Sequence, residues 1–278
     1  MQIFLYTLIE GPRRVLRHWR VLVPLYLVGL LFGLAQTWPL LFGRALYNPF
    51  LGDLASGDLD TLANLFIGSQ SAAAGAGVWV FVTLLLALLF GLAYNFFAGG
   101  VLAVYADRGT FWAGCWRTVW SFIGLGLLLL ILVVPVLIGS VLLGGPLGPR
   151  GALVTALVLI QLINLIGEYA RAVAVVRDRR NPFALLGMAV GFCVRHLGGV
   201  LLLALIGLAL HVTVVALYGL VASAVSSSPI AILWQQAIVL AWLLIKLLRL
   251  AWAASYLQAA TAAQDGAALS KDVVLTLG

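Results

Sequence analysis

Charge is what this 278-residue chain has least of: 9% of its residues are Asp, Glu, Lys or Arg, where a soluble domain carries about 25%. So sparse a polar inventory excludes a soluble globular fold. Cysteine is scarce as well. Cys115 and Cys193 are the two in the chain; neither has a metal-ligand partner at short spacing, and a free cysteine in a reducing compartment packs as a small hydrophobe. No Walker loop, H-E-x-x-H or Gly-x-Ser-x-Gly elbow occurs, so no catalytic residue and no metal site are assigned.

What the chain does have is apolar length, at 64% hydrophobic residues. Six runs, near 21–43, 76–106, 118–143, 151–176, 198–224 and 230–258, reach the roughly 20 residues that a helix needs to cross a hydrocarbon core. Strand-type alternation is absent, which predicts an all-α polytopic membrane protein of six transmembrane helices in one domain, 1–278. The first run follows Arg13, Arg14, Arg17 and Arg20 like a signal peptide. It is longer than the usual h-region of about 7–15 residues and lacks a small-x-small site, so a retained span is expected.

Basic residues set the expected orientation. With the N-terminus in the cytoplasm, that side receives Arg13, Arg14, Arg17, Arg20, Arg108, Arg117, Arg171, Arg177, Arg179, Arg180, Arg195, Lys246, Arg249 and Lys271, and the other side only Arg44 and Arg150. Basic loops resist translocation, so this bias predicts a cell-membrane protein with both termini cytoplasmic. The same face should meet anionic lipid headgroups. Nothing in the chain points to nucleic acid.

Two charged exits look alike. AVYADR at 103–108 and AVVRDR at 174–179 agree at four of six positions and place Asp107, Arg108, Arg177, Asp178, Arg179 and Arg180 at the cytoplasmic ends of even-numbered helices. Further echoes link Tyr169 to Asp178 with Tyr256 to Asp265, and Phe4 to His18 with Phe183 to His196. The chain therefore reads as three parallel units, 1–107, 108–178 and 179–265. Each would have a short cytoplasmic-face helix, a span out and a span back.

In the third unit, Asn181-Pro182 supplies an N-cap and a first-turn proline. Phe183, Leu186, Val190, Cys193 and Leu197 then form a stripe expected in the membrane interface, opposite Gly187, Gly191 and Arg195, which could press on neighbouring helices. The element RDRRNPFALLGMAV and the helix count resemble a broad group of bacterial six-helix membrane proteins, related to the membrane domain attached to some glycerophosphodiester phosphodiesterases. The catalytic domain of those enzymes has no counterpart in this sequence, so the resemblance implies a membrane domain and no active-site residue.

Polar residues inside the runs carry the functional reading. Gln161, Asn164, Glu168 and Arg171 recur at spacings of three and four, hence on one helix face, and Lys246 and Arg249 lie at similar depth in the sixth run. A charge in a span faces protein or water because lipid burial costs about 2.5–3.5 kcal/mol on insertion scales. A Glu168 ion pair with Lys246 or Arg249 would lock two units together in a non-enzymatic scaffold or accessory subunit for other membrane proteins. Alternatively, the same residues would line the cavity of a transporter for a lipid or small anionic solute. Pro135 in the third run and Gly29-x-x-x-Gly33 in the first bear on this as a candidate helix break and a close-packing face. His211, deep in the fifth run, could ligate haem or chlorin, although a hydrogen bond to a neighbouring helix is the preferred reading and no cofactor is assigned. Asp53, Asp58 and Asp60 share an external loop and are read as solvated.

Overall fold

A computed structural model describes residues 2–42, 73–222 and 229–276. Asp53, Asp58 and Asp60 lie outside these residues. The described chain is helical throughout: α1 (Gln2–Arg17), a 3-10 turn at Trp19–Val21, α2 (Leu22–Phe42) and α3 (Ala73–Tyr105) come first. A helical run over Phe111–Val176 follows, broken at Gly148 (φ 69°, ψ 163°) into α4 (Phe111–Ser140) and α5 (Gly151–Val176), each long and apolar enough to cross a membrane. Then come α6 (Pro182–Arg195), α7 (Leu197–Ala222) and α8 (Pro229–Thr276). Among the described residues, five helices are long and apolar enough to cross a membrane, or six if α1 and the start of α2, bent by 68° at their junction, count as one.

The chain divides into two compact units, Tyr26–Ala93 and Met1–Leu25 with Tyr94–Gly278. In the smaller unit, Phe32 meets Phe90 edge to face at 5.4 Å. Among the described residues, an added Cβ at Gly29 would meet open space; the surroundings of Gly33 lie outside the described residues.

In the larger unit α1 packs on α8, α6 packs along α4 and α5, and α8 also packs on that pair and on α7. Its core, with Leu102, Tyr105, Phe122, Val173, Leu185 and Leu257 fully buried, gathers at the ends where α3 and α5 terminate. Burial of apolar area cannot by itself select this packing if lipid surrounds it, so small residues matter. A Cβ at Gly100 would sit 2.5 Å from both Cys115 Sγ and the Phe111 carbonyl. Glycine there lets α3 and α4 approach backbone to backbone.

This contact explains a difference from the sequence reading. The helix of the third apolar run, α4, starts at Phe111, not near 118, because the 111–118 segment buries Gly114, Cys115 and Thr118 against α3. Among the described residues, the short face helix expected at the start of 108–178 is consequently not separate from α4. Helical dihedrals continue through Pro135, and the interruption comes at Gly148. At the other end α8 runs on to Thr276 through Asp265, in an alanine-rich stretch with high helix propensity, so Asp265 is not at a turn as Asp107 and Asp178 are.

On α6, Asn181 Oδ1 accepts from the backbone N–H groups of Phe183 (3.0 Å) and Ala184 (3.4 Å), an N-cap. The buried face is Leu185, Ala189 and Cys193, whereas Phe183, Val190 and Leu197 are exposed. Among the described residues, nothing would meet a Cβ added at Gly187 or Gly191.

Candidate functional site

The polar stripe of α5 separates along its length. Gln161 and Asn164 sit at exposed positions, while Glu168 and Arg171, nearer the helix end, turn into the protein. Glu168 is met by Arg249 from α8 in a two-pronged contact, Nη2 to Oε1 at 3.0 Å and Nε donating to Oε2 at 3.1 Å. The side chains retain 16% and 15% of their exposure. Such parallel N–H···O bonds fix orientation as well as charge. Gly207 on α7 completes the fit, since a Cβ there would crowd the Arg249 stem at 3.2 Å.

The remaining cations find other partners. Arg171 Nε donates to Asn95 Oδ1 at 3.0 Å, tying α5 to α3. Lys246 Nζ lies 5.2 Å from the Tyr94 ring centroid and 5.6 Å from that of Trp242, a cation–π arrangement. Beside the ion pair is a cavity of about 10 Å³, lined by Leu165, Glu168, Tyr169, Val200, Arg249 and Trp252 among others. It has room for about one water.

Asn95 and Tyr94 are members of this cluster that the sequence reading omitted. Their signal was a lone amide in an otherwise apolar helix. A second polar knot was also missed. Arg14 is buried on α1, holds Glu10 through Nε at 3.1 Å, and donates from Nη1 to the Tyr105 carbonyl and to Gln258 Oε1 at 2.7 Å. Gln258 in turn donates to the Ala106 carbonyl at 2.9 Å. One arginine thus joins α1, the end of α3 and α8, and the i, i+4 spacing of Glu10 and Arg14 was its only trace in the sequence.

The charged exits have a defined geometry. Asp107 (φ 53°) and Asp178 (φ 48°) both adopt the left-handed conformation just past a helix end. At the first, Arg108 N–H bonds the Ala103 carbonyl at 2.8 Å and Asp107 N–H that of Val104 at 3.3 Å, the pattern of a Schellman cap. Arg108 Nη2 then donates to the Val176 carbonyl at 2.9 Å, and Arg117 Nε lies 3.9 Å from Asp178 Oδ1. The ends of α3 and α5 are therefore neighbours. Arg177, Arg179 and Arg180 are exposed there.

The histidines occupy two kinds of position. His18 (φ −113°, ψ 33°) and His196 (φ −117°, ψ 29°) interrupt α1–α2 and α6–α7 with nearly the same backbone geometry. His18 faces Tyr105 at 6.4 Å between centroids and His196 faces Tyr256 at 5.9 Å. His211 Nδ1 is 2.8 Å from the Gly207 carbonyl of its own helix, and its ring meets Trp242 edge to face at 5.6 Å. Both cysteines are buried and free, and burial pushes the Cys193 thiol up to about 11. Among the described residues no three His, Cys, Asp or Glu side chains are grouped to hold a metal ion.

Comparison with known protein families, with curated proteins and with solved structures gives no match. The functional reading therefore rests on this geometry.

Proposed function

We propose that the chain is a non-enzymatic membrane scaffold or accessory subunit that associates with other membrane proteins. The observation that carries this reading is the internal pairing of Glu168 with Arg249, with Arg171 held by Asn95 and Lys246 held over two rings. These interactions use the charges within the spans for cohesion of the bundle. The surface offered to a partner helix is the outward face of α6, where Phe183, Val190 and Val194 are exposed around the open notches at Gly187 and Gly191. Glycine notches suit close approach of a second helix.

Orientation and repetition belong to the same proposal. Arg14, Arg108 and Arg117 all make contacts at the end where α3 and α5 terminate. With the basic bias of the sequence, this supports placing that end and both termini in the cytoplasm, in the cell membrane. The matched left-handed aspartates support kinship of units 1–107 and 108–178, and the matched histidine hinges support kinship of 1–107 and 179–265.

A second reading has its own support. Arg171, Lys246 and Arg249 surround a single carboxylate, an excess of positive charge suited to a transporter for a lipid or small anionic solute. A photo-crosslinking residue at Val190 separates the two. The scaffold reading expects a discrete adduct with another membrane protein in native membranes, and no anion or lipid flux in proteoliposomes. Lipid adducts alone, together with flux, would replace it by the transporter.

A further inference from the structure

The tryptophans of α4 do not form a belt at one depth. Trp112, Trp116 and Trp120 are 58%, 70% and 81% exposed, and their spacing of four stacks them along the helix axis over about 12 Å. An interfacial anchor needs rings at headgroup level only. A ladder running into the span presents aromatic faces along the path that an acyl chain takes. Its upper part is braced from α3, by Phe96 against Trp116 at 5.2 Å and Phe97 against Trp112 at 6.3 Å.

A basic cluster adjoins the ladder. Arg117 lies between Trp116 and Trp120 in sequence and one turn before Trp120 on the adjoining face. Its contact with Asp178 at 3.9 Å brings the exposed turn of Arg177, Arg179 and Arg180 alongside. Arg117, Arg177, Arg179 and Arg180 thus gather at this end with Asp178, which pairs with Arg117, and with Asp107 at the neighbouring helix end. Arg108, also at this end, is occupied with the Val176 carbonyl.

We infer that this surface of α4 and the α5–α6 turn is a binding site for an anionic phospholipid. The phosphate sits among Arg117, Arg179 and Arg180, and an acyl chain lies along Trp116 and Trp120. Charge complementarity selects the occupant. A zwitterionic lipid would bring its own cation to an already basic cluster, and a neutral lipid would leave the guanidinium groups unanswered. Guanidinium forks suit phosphate oxygens. The inference rests on the orientation proposed above and not on the scaffold reading.

The test is tryptophan quenching in the full chain reconstituted in phosphatidylcholine vesicles. An equal small fraction of dibrominated phosphatidylglycerol or dibrominated phosphatidylcholine is included, and the signal attributable to the ladder is defined by its loss in W116F/W120F. The phosphatidylglycerol probe should quench that component more strongly. Replacing Arg117 by Gln should lower the preference by up to about fivefold, the effect of one basic side chain near an anionic surface. R179Q/R180Q, confined to an exposed turn, provides the same test if the Arg117 variant fails to fold. Equal quenching by the two probes, or a preference unchanged in both arginine variants, overturns the lipid site. In the first case an acidic segment of a protein partner becomes the better occupant. The vesicles contain no partner protein, so failure here leaves the scaffold reading untouched.

Discussion

Arg249 on α8 grips Glu168 on α5 through both of its near nitrogens, at 3.0 and 3.1 Å, while Lys246, one turn earlier on the same helix, turns away to the rings of Tyr94 and Trp242. Two cations on one helix thus have separate duties. A bidentate guanidinium fork is not reproduced by an ammonium group, so Arg249→Lys should destabilise the bundle in spite of its conserved charge. Lys246→Met removes a cation–π contact, at about 0.5–2 kcal/mol, and a longer-range attraction to Glu168 that makes no hydrogen bond. Unfolding in mixed micelles compares them, and a Lys246→Met loss larger than that of Arg249→Lys would reverse the assignment.

The left-handed aspartates make a backbone prediction. An L-residue pays roughly 1–2 kcal/mol in this conformation, least for Asp and Asn. Asp107→Val should therefore cost about 1–2 kcal/mol and Asp107→Gly should be neutral or stabilising. Equal thermal shifts for the two variants would show that the carboxylate, not the backbone, matters there.

Glycine substitutions should divide by surroundings. Gly100→Ala forces a methyl group into Cys115 and the Phe111 carbonyl, and overpacking of this kind costs about 1–3 kcal/mol. Gly187→Ala and Gly191→Ala meet open space and gain helix propensity, about 0.5–1 kcal/mol each. In native membranes, however, both should weaken the Val190 crosslink. Stabilised variants with an undiminished adduct would remove α6 as the partner surface.

Cys193 is buried, and its thiol is pushed up to about 11 by desolvation. It stays protonated at neutral pH, so in a Cys115→Ala background maleimide labelling should be slow at pH 7.5 and should accelerate as pH rises toward that value. Detergent-unfolded protein, labelled at an ordinary thiol rate, is the control. Rapid labelling of folded protein at pH 7.5 would show that the α6 face opens.

Legibility in the sequence followed the kind of force involved. The run at 151–176 coincides with α5 because Gly148 and the Arg177-Asp178 exit mark both ends. Hydrophobic length misplaced the start of α4, where Trp112, Arg117 and Thr118 dilute the apolar text although Gly114 and Cys115 pack tightly. For Glu168, stripe spacing gives the inward face and depth gives two candidate partners on α8. The choice between Lys246 and Arg249 depends on helix rotation, set by contacts of Gly207 and Tyr94 that no local pattern records. The Arg14 knot was hidden for the same reason: its acceptors are a carbonyl and an amide from helices far away in sequence.

The central claim, that charge within the spans holds the bundle together, is tested most directly by a double-mutant cycle on Glu168 and Arg249 read as unfolding free energy in mixed micelles. Removing one partner leaves the other buried and uncompensated, so Glu168→Leu and Arg249→Leu should each cost about 3–5 kcal/mol, while the double substitution should recover most of that loss. Single variants as stable as the parent, or a double variant whose loss equals the sum of the two, would contradict the account.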